Sequence, residues 1–269
     1  MKYIRAGIAA LALSLFAHGA QAFDHTHQAW NTLLGKLVVV NKQGTASSVK
    51  YAQAKQDHAE LKAYLASLSA VSRQEYAPWA KDQKLAFLIN AYNAFTIELI
   101  LTEYPKLDSI KDLGSFLASP WKKPFFELLG KKETLDGIEH ERIRAPGAFD
   151  DPRIHAAVVC ASIGCPMLRN EAYVATRLDA QLEDQMQRFL RDRSRNRFDA
   201  GTGTLHVSKI FDWYAGDFDK GHRGFDSLKA TFGHYADALA DTPEEAARLR
   251  RGDFTIDYLN YDWRLNDAR

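Results

Sequence analysis

The residues best suited to covalent chemistry lie in one stretch, Arg153–Pro166 (RIHAAVVCASIGCP). It holds both cysteines of the chain, Cys160 and Cys165, and His155 stands on the apolar run leading into them. Any thiol nucleophile or thiol redox step must therefore use one of these two sulfurs. Their C-x4-C pair supplies too few ligands for a structural zinc site, and it is not the C-x-x-C of thioredoxin-like enzymes. Two readings stay open. A disulfide can close the small loop, because Ser162-Ile163-Gly164 can turn and glycine tolerates positive φ; its entropic stabilisation is modest for so short a loop. Alternatively, one cysteine is a thiolate nucleophile activated by a histidine base.

Spacing bears on which histidine. If Ile154–Cys160 is a buried strand, His155 and Cys160 face opposite sides and stand roughly 16 Å apart, so His155 is a poor base for Cys160. It reaches Cys165 only if the Ser162–Gly164 turn folds the chain back. His140 is better placed by composition, since Glu139 and Glu141 flank it and can orient an imidazole. A metal site from His140, Glu139 and His155 matches no metalloenzyme spacing, so no metal or cofactor is expected.

The elements that must position these groups are mostly helical. Trp30, Leu33, Leu34 and Leu37 recur at helix spacing in His27–Val40, and Leu61, Tyr64, Leu65 and Leu68 do so in Ala59–Leu68. Asp82–Glu103 predicts the longest helix, with Pro105 just past its end. It is apolar nearly all round and should be buried, yet Asn90 and Asn93 sit on it as neighbours. A buried amide without partners costs roughly 1–3 kcal/mol, so the two either fasten a neighbouring backbone or line a pocket and hold a substrate. Hairpins are expected over Phe125–Ile138 and Arg197–Val207. Helices are expected over Ala175–Arg191, Ser208–Tyr214 and near Phe225–Leu239, and a last strand over Phe254–Leu259. Helices in runs with hairpins between them predict a helix-rich α+β fold with short antiparallel strands.

Composition bounds the rest. Met1–Ala22 reads as a secretory signal: Lys2 and Arg5, a short apolar core over Ile8–Ala17, and an Ala20-Gln21-Ala22 cleavage site. Its core of about ten residues is half the roughly twenty that span a bilayer, and no later stretch reads as a span. A periplasmic or secreted protein is expected, with 23–269 as one domain, because no Pro/Gly/Ser-rich linker or repeat interrupts it. Without Lys2 and Arg5 the 35 basic residues fall to 33 against 34 acidic. That balance argues against nucleic acid as a partner. The basic run Arg188–Arg197 reads as a helix end with cations at its C-terminal dipole. A small molecule or peptide is the expected partner.

Several motifs in order resemble the domain of unknown function 547 family. They are Phe87–Ile97 (FLINAYNAFTI), Leu135-Asp136-Gly137-Ile138-Glu139-His140, Pro152–His155 running into Val159–Ser162, Cys165-Pro166, Leu205–Phe218 and Tyr258–Trp263. The resemblance implies a site containing the two asparagines, the Glu139-His140 pair, Arg153, His155 and both cysteines. It does not imply an activity. Gly137 departs from the pattern, which often has a second acidic residue there. Asp212 and Asp217 also match, although Phe211, Trp213 and Tyr214 around them read as a packed corner.

Two functions follow from these residues. One is a thiol-dependent hydrolase or transferase acting on an amide or thioester: Cys165 or Cys160 attacks, His140 or His155 takes the proton, and Asn90 or Asn93 positions base or oxyanion. Glu139 and Arg153 would join the asparagines in binding substrate. The other is a non-catalytic binding module whose Cys160–Cys165 disulfide stiffens a loop beside the same polar groups.

Overall fold

A computed structural model describes residues 22–115 and 118–268. The secretory signal read at 1–22 lies outside the described residues except for Ala22. Ten helices follow in chain order: α1 (Gln28–Leu37), α2 (Tyr51–Gln56), α3 (His58–Ala70), α4 (Arg73–Tyr76), α5 (Lys81–Leu101), α6 (Leu178–Arg191), α7 (Ile210–Trp213), α8 (Leu228–His234), α9 (Ala236–Leu239) and α10 (Pro243–Arg250). The strands are short: β1 (Val38–Val40) pairs with β2 (Ser47–Val49), β3 (Phe126–Leu128) with β4 (Lys131–Glu133), and β5 (Arg197–Asp199), β6 (Thr204–Val207) and β7 (Thr255–Tyr258) form a three-stranded sheet. The fold is α+β and helix-rich, as the pattern of elements predicts.

Both expected hairpins form. Leu129 and Gly130 turn β3 into β4 with φ of 53° and 73°, the paired positive φ values of a tight hairpin turn. The last strand differs from a hairpin: β7 runs parallel to β6. A parallel pair needs a crossover, and α7–α10 supply it.

Two apolar clusters make up the core. The first surrounds α5, on which nearly every residue from Leu85 to Leu101 is buried, and takes in α1 and α3. By length and composition α5 would suffice to cross a bilayer, but 89 % of its apolar window is buried inside the protein, as in the core helix of a folded domain. The second cluster joins Phe189 and Leu190 of α6 to α7–α10 and the three-stranded sheet. The chain between Pro152 and Met167 runs along the seam: Ile154 and Ala157 belong to the first cluster and Ala156 to the second.

That seam corrects the expected strand over Ile154–Cys160. Pro152–Ala156 is a 3₁₀ turn. Pro152 at its first position has no N–H to lose, and Asp151 caps it by accepting the Arg153 N–H at 3.0 Å. Arg153 is buried, pairs with Asp151 of its own turn (2.7 Å) and ties the turn to α6 through Asp179 (2.7 Å).

The chain after the turn is irregular and buried, so its backbone polar groups need side-chain partners. Asn93 provides two: its amide donates to the Ala157 carbonyl (2.9 Å) and accepts from the Val159 N–H (3.0 Å). Asn90 does the same for both backbone groups of Tyr173 (2.7 and 3.0 Å). Gln185 of α6 donates to the carbonyls of Ala156 (3.0 Å) and Met167 (2.6 Å), and Arg195 donates to the carbonyl of Cys165. The basic run is therefore largely internal wiring: Arg188 meets Asp184, Arg193 meets Asp241 and Arg195 meets Asp192.

Asn93→Ala strands two buried backbone groups at about 1–3 kcal/mol each. Chemical denaturation should show a loss of roughly 2–6 kcal/mol, and a loss below about 0.5 kcal/mol would remove Asn93 from this role.

Candidate functional site

The irregular segment opens on a cavity of about 280 Å³. One set of lining groups is chemically active: Asp136, Glu139, His140, His155, Cys160 and Cys165. The other is a wall of aromatic rings: Tyr92, Trp121, Trp213, Tyr214, Tyr261 and Trp263. Five sequence-derived candidates, Glu139, His140, His155, Cys160 and Cys165, thus meet in one place, while Asn90, Asn93 and Arg153 do not line the cavity. The asparagines act one layer behind it, on the backbone that carries Cys160 and on the loop at Tyr173.

Cys160 and Cys165 are free. The Cys160 N–H donates to Cys165 Sγ at 3.0 Å, and Cys160 Sγ lies 3.1 Å from the Tyr261 hydroxyl. The next residue, Ala161, holds φ of 62°, a left-handed conformation that costs energy in any residue with a Cβ and that clusters at functional sites. The C-terminal segment clamps this turn: Ile163 N–H donates to the Arg264 carbonyl (2.8 Å), Gly164 N–H to Asp262 (2.8 Å) and Asn266 N–H to Ala161 (3.0 Å). Gly164 is required there, because a Cβ would stand 2.8 Å from the Asp262 nitrogen.

The two sulfurs are unequal. A hydrogen bond from Cys165 draws the Cys160 thiol down to about 7, and the Tyr261 hydroxyl and Ser162 add to it against the opposing effect of burial. Burial pushes the Cys165 thiol well above its ordinary value, and the neighbouring Cys160 adds to that. Cys160, the more exposed of the pair, is the sulfur fitted to be a thiolate; Cys165 is its hydrogen-bond donor.

His155 is buried and stacks on Tyr214 at 3.9 Å. Its Nε2 lies 2.8 Å from Asp217 Oδ2. A carboxylate accepts, so the ring proton resides on Nε2 and the lone pair on Nδ1. Nδ1 has no hydrogen-bond partner. Burial lowers the His155 pKa, with Asp217 opposing. Burial would raise Asp217, yet hydrogen bonds from His155, Arg144 and Lys220 hold it far below the usual carboxylate range. The strand premise that separated His155 from Cys160 does not hold, because the 3₁₀ turn brings both to the same cavity.

His140 sits on a π-helical stretch, Gly137–Ile143. Its Nδ1 is 2.6 Å from Arg144 Nη1 and its Nε2 3.5 Å from Asp136. Arginine only donates, so the His140 Nδ1 lone pair is already occupied, and His155 is the better base. A Cβ at Gly137 would stand 2.2 Å from Glu133 Oε1, so a larger residue there would require the Glu133 side chain to move.

Asp217, Tyr261 and the tryptophans are the members that sequence reading set aside. In the sequence Asp217 reads as part of a packed corner, and Tyr261 only as part of a terminal motif. They lie 62 and 101 residues from the groups they touch, so the Asp212–Asp217 and Tyr258–Trp263 motifs were the available signals.

Alkylation of the protein with iodoacetamide, read by intact mass without reductant, should label Cys160 before Cys165. The rate should rise with a midpoint near pH 7, and Tyr261→Phe should move that midpoint upward. Labelling only after reduction would contradict these assignments and place the sulfurs in a disulfide.

No curated protein and no solved structure matches the chain. A family model described as "Protein of unknown function, DUF547" matches residues 76–190, from α4 through the cysteine segment to the end of α6. That region, which carries every cavity group of the chemically active set, is similar to the DUF547 family.

Proposed function

We propose that this protein is a thiol-dependent hydrolase or transferase acting on an amide or thioester, working in the periplasm or outside the cell. The observation that carries the reading is the sharing of one cavity by a free Cys160 and a His155 whose Nε2 is held by Asp217 and whose Nδ1 awaits a proton. A nucleophile, a base and a third group orienting the base are the parts that covalent acyl transfer needs.

Each then has a defined task. Cys160 gives its proton to His155 Nδ1, and its thiolate attacks the substrate carbonyl carbon. As the C–S bond forms and the bond to the leaving nitrogen or sulfur breaks, the leaving group takes the proton back from His155. Water, or another acceptor in a transfer, then attacks the thioester, loses its proton to His155 and releases Cys160. Asp217 fixes the ring orientation and supports its cation. The cavity lies just below the roughly 300 Å³ at which sites for whole small molecules begin, so it takes the reacting end of a substrate. Tyr261 and Cys165 stabilise the thiolate between turnovers.

Incubation with a small activated thioester should leave an acyl group on Cys160, detected by intact mass and peptide mapping, followed by turnover. Cys160→Ala should abolish both, and His155→Gln should slow the reaction by about 10²–10⁴. Turnover that survives Cys160→Ala would reject the reading. An unreactive pair, oxidised in the exported protein, would instead favour the binding module.

A further inference from the structure

Glu139 is only 6 % exposed and lines the cavity from the π-helical stretch. Among the described residues, the cations near it in sequence are committed elsewhere. Arg144 pairs with Asp217, Arg142 and Lys131 with Glu133, and His140 with Asp136. The partner of Glu139 is the Tyr214 hydroxyl. Arg144 and His155 reach Glu139 electrostatically but neither is in ion-pair contact with it, so the place for a cation directly on this buried carboxylate is open to a ligand.

The rest of the wall agrees. No Lys or Arg lines the cavity, Asp136 is a second carboxylate, and the unpartnered, buried Nδ1 of His155 is likewise an acceptor. The two carboxylates and this nitrogen all accept hydrogen bonds. Around them stand aromatic rings, with Trp213 45 % exposed and stacked 5.6 Å from Trp263. Ring faces of this kind attract cations, and the protein's own cations already use two of them: Arg144 lies 4.8 Å over Tyr214 and Lys111 4.2 Å over Trp263. A metal ion is a poorer occupant, because no group of three His, Cys, Asp or Glu among the described residues is placed to hold one.

We infer that the cavity recognises a protonated primary amine on its substrate, seated on Glu139 and Asp136 against the rings of Trp213, Tyr214 and Tyr261. This deepens the acyl-transfer reading, on which it rests for the position of the ammonium beside the reacting carbonyl. The substrate class is then an aminoacyl or aminoalkyl amide or thioester. A neutral group of the same size binds more weakly, since it makes no direct counter-charge to Glu139, and an anion is excluded beside two carboxylates.

The test is a tryptophan-fluorescence titration of the folded mature protein with n-butylammonium, n-butanol and butyrate at constant ionic strength. Saturable binding is expected for butylammonium at least tenfold tighter than for butanol, with none for butyrate. Glu139→Gln should remove that preference, and Asp136→Asn, at a half-exposed position, should weaken it severalfold if the first variant does not fold. Equal binding of butanol, or a preference that survives both variants, would overturn the inference. The readout is binding and involves no acyl chemistry. A cation preference without thiol turnover would therefore reject acyl transfer alone, and turnover without a cation preference would reject this inference alone.

Discussion

The site depends on the need to satisfy a buried backbone that has no regular structure. From Ala157 to Met167 the chain runs between two apolar clusters, where neither a helix nor a sheet ladder can take up its N–H and C=O groups. Asn93, Gln185 and Arg195 do so from three directions, and the C-terminal strand of chain around Asp262–Asn266 closes the fourth. Amides suit this task because each can donate and accept at once. The apolar helix α5 carries Asn93 for this reason, and Asn90 for the same service to the loop at Tyr173.

That wiring fixes where the chemistry can occur. With the backbone held at Ala157, Val159, Ile163 and Gly164, the turn at Ala161 is kept in its left-handed conformation and Cys160 is presented to the cavity. The clamp also brings Tyr261 onto the sulfur. On the other side, the 3₁₀ turn capped by Asp151 places His155 against Tyr214 and Asp217. Electrostatic asymmetry follows: Asp217 is surrounded by donors, Glu139 feels Arg144 without an ion pair to it, and the two sulfurs separate into a donor and an acceptor.

Much of the frame was legible in the sequence. The all-round apolar pattern of α5, the hairpin at Leu129-Gly130 and the amphipathic α6 follow from periodicity and turn chemistry, and the Phe87–Ile97 and Arg153–Pro166 motifs pointed to the cavity. The apolar run Ile154–Val159 misled, because its composition suits a strand while Asp151-Pro152 is a helix-start signal in front of it. The roles of Asp217 and Tyr261 depend on contacts across 62 and 101 residues, and the parallel pairing of β7 depends on a four-helix crossover. No local pattern encodes such distances. Asn90 and Asn93 were visible as an anomaly, but the choice between pocket and backbone needed the partners' positions.

The central claim is that His155 and Cys160 act on each other across the cavity. ¹⁵N NMR of imidazole-labelled protein, wild type and Cys160→Ala, tests it most directly. The account predicts a His155 ring with its proton on Nε2 and its lone pair on Nδ1. It also predicts a change in the Nδ1 signal with a midpoint near 7, the value for Cys160, that disappears when the sulfur is removed. A proton resident on Nδ1, or a His155 signal indifferent to Cys160, would contradict it.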